Sequence, residues 1–174
     1  IILPGLPITF ELAIYAILIA LVIGVFSGVL AALKRNTALD FIPMAIAMIG
    51  ICVPTFLMGP LLVLIFGINL EILPVSGWGQ LPGDKILPSI TLGFAYAAYI
   101  ARLSRGGMLE VLNQDFIRTA RAKGLTERNV VIKHAMQGGL IPVVSFLGPA
   151  IAGLLAGSFV VVTWESGPAQ SDRG

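Results

Sequence analysis

The chain reads as long apolar runs separated by short polar stretches, and the lengths of those runs set its architecture. Between Glu11 and Lys34 lie 22 uncharged residues, Leu12 to Leu33. A helix rises about 1.5 Å per residue, so this run reaches across a hydrocarbon core of about 30 Å. Lys34 and Arg35 close it, and Asn36 to Asp40 form a short polar turn. The second run, Phe41 to Leu70, has 30 residues and is punctuated by Pro43, Pro54 and Pro60. Pro54 lies near its middle and lacks a backbone donor, which predicts a kink or break there. Thr55 stands beside it, placed to satisfy a freed carbonyl, as groups in lipid require. Pro54 and Thr55 are therefore candidates to line a pathway, with a plain packing kink as the competing reading.

The third run, Ile86 to Ala101, has only 16 residues. It becomes a full span if the helix continues through Arg102 and Arg105 toward Leu109, with both arginines snorkelling to the headgroups. Tyr96 and Tyr99 on this helix are candidates to line a pathway, or for aromatic packing. The fourth run, Gly139 to Trp164, contains Pro142, Pro149 and the spacing Gly153-x-x-x-Gly157, which lets two helix backbones approach closely. The pattern predicts an all-α, polytopic helical bundle with about four spans, near 9–33, 41–69, 86–109 and 139–163. Glu71 to Lys85 reads as a loop rich in Pro and Gly, with Trp78 suited to an interface. The tail from Glu165 to Gly174 is polar and without period.

Composition agrees with lipid as the solvent: 57% of the 174 residues are hydrophobic and 11% charged, against roughly 25% charged in soluble domains. Of eleven Lys and Arg, seven lie between Arg102 and Lys133 and two in the first turn. Basic residues mark the cytoplasmic side, which puts the first turn and residues 102–134 inside and the 71–85 loop outside. Four spans so arranged leave both chain ends outside. An N-terminus placed there implies an earlier helix, so the chain is expected to be truncated at the front. A net charge of +2 gives no argument for nucleic acid. The single cysteine, Cys52, excludes a disulfide framework and is expected to be a buried, inert thiol. There is no Gly-x-x-x-x-Gly-Lys-Ser/Thr loop, no clustered metal ligands, and one histidine, His134, with no nucleophile beside it. The chain is thus expected to catalyse nothing and to hold no cofactor of its own.

One stretch departs from the apolar pattern. From Asn113 to Met136 the chain carries Arg118, Arg121, Lys123, Arg128 and Lys133 against Asp115 and Glu127. Asn113 can cap a helix over Gln114 to Lys123, and Gly124 suits the left-handed residue past its end. Thr126 can cap a second helix from Glu127 to about Met136. Arg121 and Lys123 fall in the last turn of the first helix, where cations favour the dipole. The small residues Thr119, Ala120 and Ala122 leave room for a partner, and Phe116 and Leu125 are apolar groups it could bury. Residues 110–136 thus read as a two-helix cytoplasmic loop. Anionic lipid binding, a solvated loop and a docking surface for a cytoplasmic subunit all fit this composition.

The segment RTARAKGLTERNVVIKHA (Arg118 to Ala135), with LIPVV following, resembles the signature loop of bacterial ABC importer permeases. The match is to the dipeptide and oligopeptide branch, which includes nickel and glutathione importers. LPITFELA from Leu6, the Gly-x-x-x-Gly-x-x-Ala-Ala-Leu-Lys-Arg run ending at Arg35, LPVSGWG from Leu73 and LPSITLG from Leu87 are similar to that branch as well, over about 160 residues. Where the broad pattern begins this loop with Glu-Ala-Ala, Arg118-Thr119-Ala120 is the peptide-branch variant. The resemblance implies that Arg118 to Thr126 form a coupling helix region seated in a cleft of a partner ATPase. Asp115, Phe116 and His134 belong to the same loop. It further implies a second permease subunit, an extracytoplasmic binding protein, and ATP and magnesium on the partner chains, in the inner membrane of a bacterial or archaeal cell. The family continues beyond a Pro-Gly-x-Gly turn where this chain has Trp164-Glu165-Ser166-Gly167-Pro168, so truncation at both ends is expected. A carrier driven by an ion gradient, a channel, and a remnant that no longer transports are the alternatives. Ionisable residues inside spans would favour a carrier, and the runs contain none.

Overall fold

The computed structural model describes the backbone of residues 2–70 and 85–165, and the side chains of residues 10–54, 57–70 and 85–153. The predicted loop with Trp78, the polar tail beyond Glu165, the Thr55 side chain and the surroundings of Gly157 lie outside that description. Every described element is helical. α1 runs Ile2–Leu33, α2 Ala38–Cys52, α3 Thr55–Leu62 with a π-helical continuation Val63–Asn69, and α4 Ile86–Leu112. A short α5, Asp115–Ala122, precedes α6, Glu127–Gly139, whose middle is π-helical over Val130–Ala135. α7 is Ile141–Glu165.

The architecture is organised by one seam. Along α1, Ala16, Ala20, Gly24 and Gly28 recur every fourth residue and so share a face. Against them α4 sets Gly93, Ala97, Ile100, Ala101 and Ser104, all buried. The helices touch backbone to backbone: a Cβ on Gly24 would lie 2.7 Å from the Ala97 carbonyl oxygen, and one on Gly93 2.7 Å from that of Ala16. Small residues are what permit such an approach in lipid, where hydrophobicity supplies no force between helices and dispersion and close packing must. The opposite face of α1 carries Phe10, Ile14, Leu18, Val22 and Phe26, all more than half exposed. A helix apolar all round, small on one side and large on the other, is the composition of a membrane span. At one end of the seam Lys85 Nζ meets Glu11 Oε1 at 2.6 Å.

The second apolar run is not one helix. α2 ends at Val53, whose backbone turns extended (φ −82°, ψ 120°), and α3 restarts from Pro54, whose carbonyl accepts from Leu57 N and Met58 N at 3.0 and 3.1 Å. The missing donor of Pro54 produces the break where the sequence put it, and divides 41–69 into two shorter apolar helices. Among the described residues two helices, Phe10–Leu33 and Ile86–Leu112, are each long and apolar enough to cross a membrane; α6 and α7, bent by 49° at Leu140, count as a third if taken as one span. Cys52 is exposed on α2 rather than buried, because the buried positions of that helix are Asp40, Ala47 and Gly50 and Cys52 is not among them.

Candidate functional site

The basic stretch folds into an elbow fixed to the end of α4. Ile117 of α5 is fully buried and Ala120 is 7% exposed. Three residues apart on a helix, they share the face that packs onto Met108 and Val111 of α4, Ala32 of α1 and Val130, Val131 and Ala135 of α6. Ala120 is therefore an anchor and not, as its size suggested, free space for a partner. Thr119 and Ala122 do face outward, as do Arg118, Lys123 and Thr126. Phe116 and Leu125 are 47% and 40% exposed, and Ile132 of α6 51%, large apolar groups left on the elbow's surface.

The caps differ from the sequence reading. Gln114, extended at φ −77° and ψ 155°, stands at the N-cap of α5. Asn113 remains helical and turns back, its Nδ2 donating to the Leu109 carbonyl at 2.7 Å. Asn113 thus closes α4 instead of opening α5. Asp115 begins α5, where a carboxylate favours the dipole. Its ion pair with Arg118 is long, 3.5 Å, and open to solvent on both sides. Thr126 precedes α6 in extended backbone, and its carbonyl accepts from Val130 N at 3.0 Å, but its hydroxyl makes no capping bond.

The turn itself is closely specified. Gly124 has φ +77°, the left-handed region. Gly124 N donates to Arg121 O at 3.0 Å and Leu125 N to Ala120 O at 3.4 Å, the paired bonds of a Schellman cap. Across the turn, Arg121 forks onto Glu127, Nε to Oε2 at 3.1 Å and Nη2 to Oε1 at 2.7 Å. The hydrogen-bonded guanidinium holds the Glu127 carboxyl below the usual carboxylate range. His134 lies half-buried in the π-helical stretch. Among the described residues no group of His, Cys, Asp or Glu is placed to hold a metal.

The candidates for a pathway sit elsewhere. Tyr96 and Tyr99 of α4 face Phe146 of α7, with ring centroids 6.4 and 5.8 Å apart, and Gly153 of α7 leaves space for the Tyr96 hydroxyl. Pro54 is exposed at the α2–α3 break. One pair went unread in the sequence: Arg105 does not snorkel but forks onto Asp40, at 2.6 and 2.8 Å, while Arg102 stays exposed. Burial of Asp40 at the start of α2 holds the arginine in the protein. Asp40 is the lone acid between Glu11 and Glu71, which was the available signal.

Residues 22–168 match the family described as binding-protein-dependent transport system inner membrane component. The chain is 48% identical over 158 residues to the oligopeptide transport system permease protein OppB of Salmonella typhimurium, covering 90% of this chain and 52% of that protein. It is 45% identical over 157 residues to the dipeptide transport system permease protein DppB of Bacillus subtilis, covering 90% and 51%. To DppB of Lactococcus lactis it is 42% identical over 156 residues, covering 90% and 51%. The chain spans about half the length of these curated relatives. With α4, the elbow and the bent helix pair all inside the matched region, the chain belongs to the family of binding-protein-dependent transport system inner membrane components.

Proposed function

We propose that this chain forms part of the permease subunit of an ATP-driven importer that carries peptides into the cytoplasm, and that the elbow is its coupling element. The observation that carries this is the construction of the elbow. A protrusion meant to receive force must be stiff within itself and fixed to a long helix. Ile117 and Ala120 fix it to α4, and the left-handed Gly124 and the Arg121–Glu127 fork set its angle. What remains outward, Phe116, Arg118, Thr119, Ala122 and Leu125, is a mixed apolar and basic surface suited to a cleft in a cytoplasmic ATPase. Peptide as substrate follows the relatives, which are named for oligopeptide and dipeptide transport.

In this reading four segments cross the inner membrane, α1, α2–α3 as a broken span, α4 and α7, with the elbow, including α6, on the cytoplasmic side. A second permease subunit completes the pathway, a binding protein delivers peptide from outside, and ATP with magnesium is bound on the partner chains. Closure of two ATPase subunits around ATP moves the paired elbows, and the permeases switch between inward- and outward-open states. Pro54, Thr55, Tyr96 and Tyr99 are the residues proposed to line the route.

The test is a cross-link in the full-length protein. Cys52 is changed to Ser, and a single cysteine is placed at Ala122 or Leu125 and probed against the ATPase encoded with it. A cross-link whose yield changes with ATP is expected. No cross-link from a stably inserted, correctly oriented protein overturns the coupling assignment.

A further inference from the structure

A buried carboxylate beside lipid persists only with good partners. Asp40, in the first turn of α2, is 1% exposed. It takes both arms of Arg105 and also accepts from Asn36 N at 3.0 Å. Asn36 has φ +62°, so the turn between α1 and α2 is bent into the left-handed region to deliver that amide. The carboxylate is thus satisfied from two sides by elements 65 and 4 residues away in sequence.

The position of the pair matters more than its strength. Arg105 is followed within one turn by Gly107, which abuts Gly139 at the end of α6, and by Met108, which packs under Ile117 and Ala120 of the elbow. Asp40 begins the helix that breaks at Val53–Pro54. The pair therefore joins the part of α4 that carries the elbow to the first turn of the broken segment. Replacing a buried ion pair by apolar groups is often neutral or stabilising, so stability alone gives no reason for charge here.

We propose that Asp40 and Arg105 are a positioning pair that passes displacement of the elbow and the end of α4 to α2, so that the α2–α3 segment moves with the ATPase. The inference rests on the importer reading above. A bidentate guanidinium–carboxylate contact resists both sliding and rotation of one helix on another, which a contact such as Gly50 on the Phe94 ring does not.

The experiment uses the full-length permease assembled with its partner permease and ATPases in lipid nanodiscs, with binding protein loaded with tri-alanine. Asp40→Asn and Arg105→Gln each leave one member without its partner and are expected to lower the yield of assembled complex. The double variant Asp40→Asn with Arg105→Gln leaves no unpaired charge, and yield and unstimulated ATP hydrolysis return. Stimulation by the loaded binding protein does not return, falling about tenfold, within the usual range of coupling between sites. The cysteine cross-link from Leu125 to the ATPase persists in that variant. Recovery of stimulation together with yield overturns the proposal and leaves a structural pair. Loss of the cross-link also overturns it, placing the effect at docking rather than transmission. A wild-type complex that the binding protein does not stimulate overturns the importer reading and this inference with it.

Discussion

Replacement of Gly124 separates the backbone demand of the elbow from crowding at its surface. At φ +77° a residue with a Cβ pays about 1–2 kcal/mol in backbone strain. Its chain neighbours aside, nothing among the described residues lies within 4 Å of that Cβ, so no clash with them adds to it. Gly124→Ala should therefore reduce the population of the observed turn roughly five- to thirtyfold relative to other geometries. Gly124→Val, β-branched, should cost more and abolish stimulation of the partner ATPase. Gly124→Asn should cost least, because asparagine enters the left-handed region more readily than other side chains. The assay is ATP hydrolysis by the reconstituted complex with and without loaded binding protein, with assembly checked by co-purification and insertion by membrane fractionation. Strain predicts activity in the order Asn, Ala, Val. If the ATPase instead requires empty space at this position, Asn, being larger, falls below Ala. That order, or normal stimulation of the valine variant, refutes the reasoning from backbone conformation.

Two further outcomes follow from the geometry. Gly24→Val drives a side chain into the Ala97 carbonyl and the Ile100 side chain, each 2.7 Å from the first added carbon. It should destabilise the α1–α4 seam by about 1–3 kcal/mol, read as a lowered Tm in detergent; an unchanged Tm removes the seam from the account. Glu127→Gln should loosen the elbow by less than about 1 kcal/mol, since both partners of the Arg121 fork are exposed. The fork holds the Glu127 carboxyl below its ordinary range, so its contribution is present above the unfolded pKa of about 4.3 and is lost as pH falls through the lower folded value. Amide exchange at Gly124 should distinguish wild type from Glu127→Gln near neutrality and cease to do so in strong acid; a difference that persists in acid excludes the fork as its cause.

The features legible in the sequence were those set by local chemistry. Run length gave the long helices α1 and α4, the missing donor of Pro54 gave the break in the second run, and a glycine following Arg121-Ala122-Lys123 gave the left-handed turn. Local rules failed where two neighbours competed for one job. Asn113 and Gln114 both precede α5, and residue type favoured Asn113 as the cap. The end of α4 leaves carbonyls without partners, and Asn113 satisfies one of them, so the cap position passes to Gln114. Ala120 was misread for want of a face. Ile117, three residues earlier, was the largest apolar residue of α5 beside Phe116 and marked the inward side, which carries Ala120 with it. The Asp40–Arg105 pair was out of reach of any local rule. Nothing in Arg105 by itself says whether its guanidinium reaches a headgroup or a carboxylate 65 positions earlier, and only the packing of α2 on α4 decides.

The distribution of close packing and interrupted backbone also locates stiffness. Along the α1–α4 seam glycine and alanine bring two unbroken helices to backbone contact, and that unit carries the elbow through Met108 and Ile117. The helices around it are interrupted, at Val53–Pro54 in one case and at Leu140 in the other. A helix with an intact hydrogen-bond ladder bends little, and rotation concentrates where the ladder is open. Push on the elbow, as the importer reading requires, and the seam moves as one body while the two breaks absorb the change in angle. In the importer reading, that arrangement would turn a displacement of the elbow into a change of angle between helices without unfolding α1 or α4.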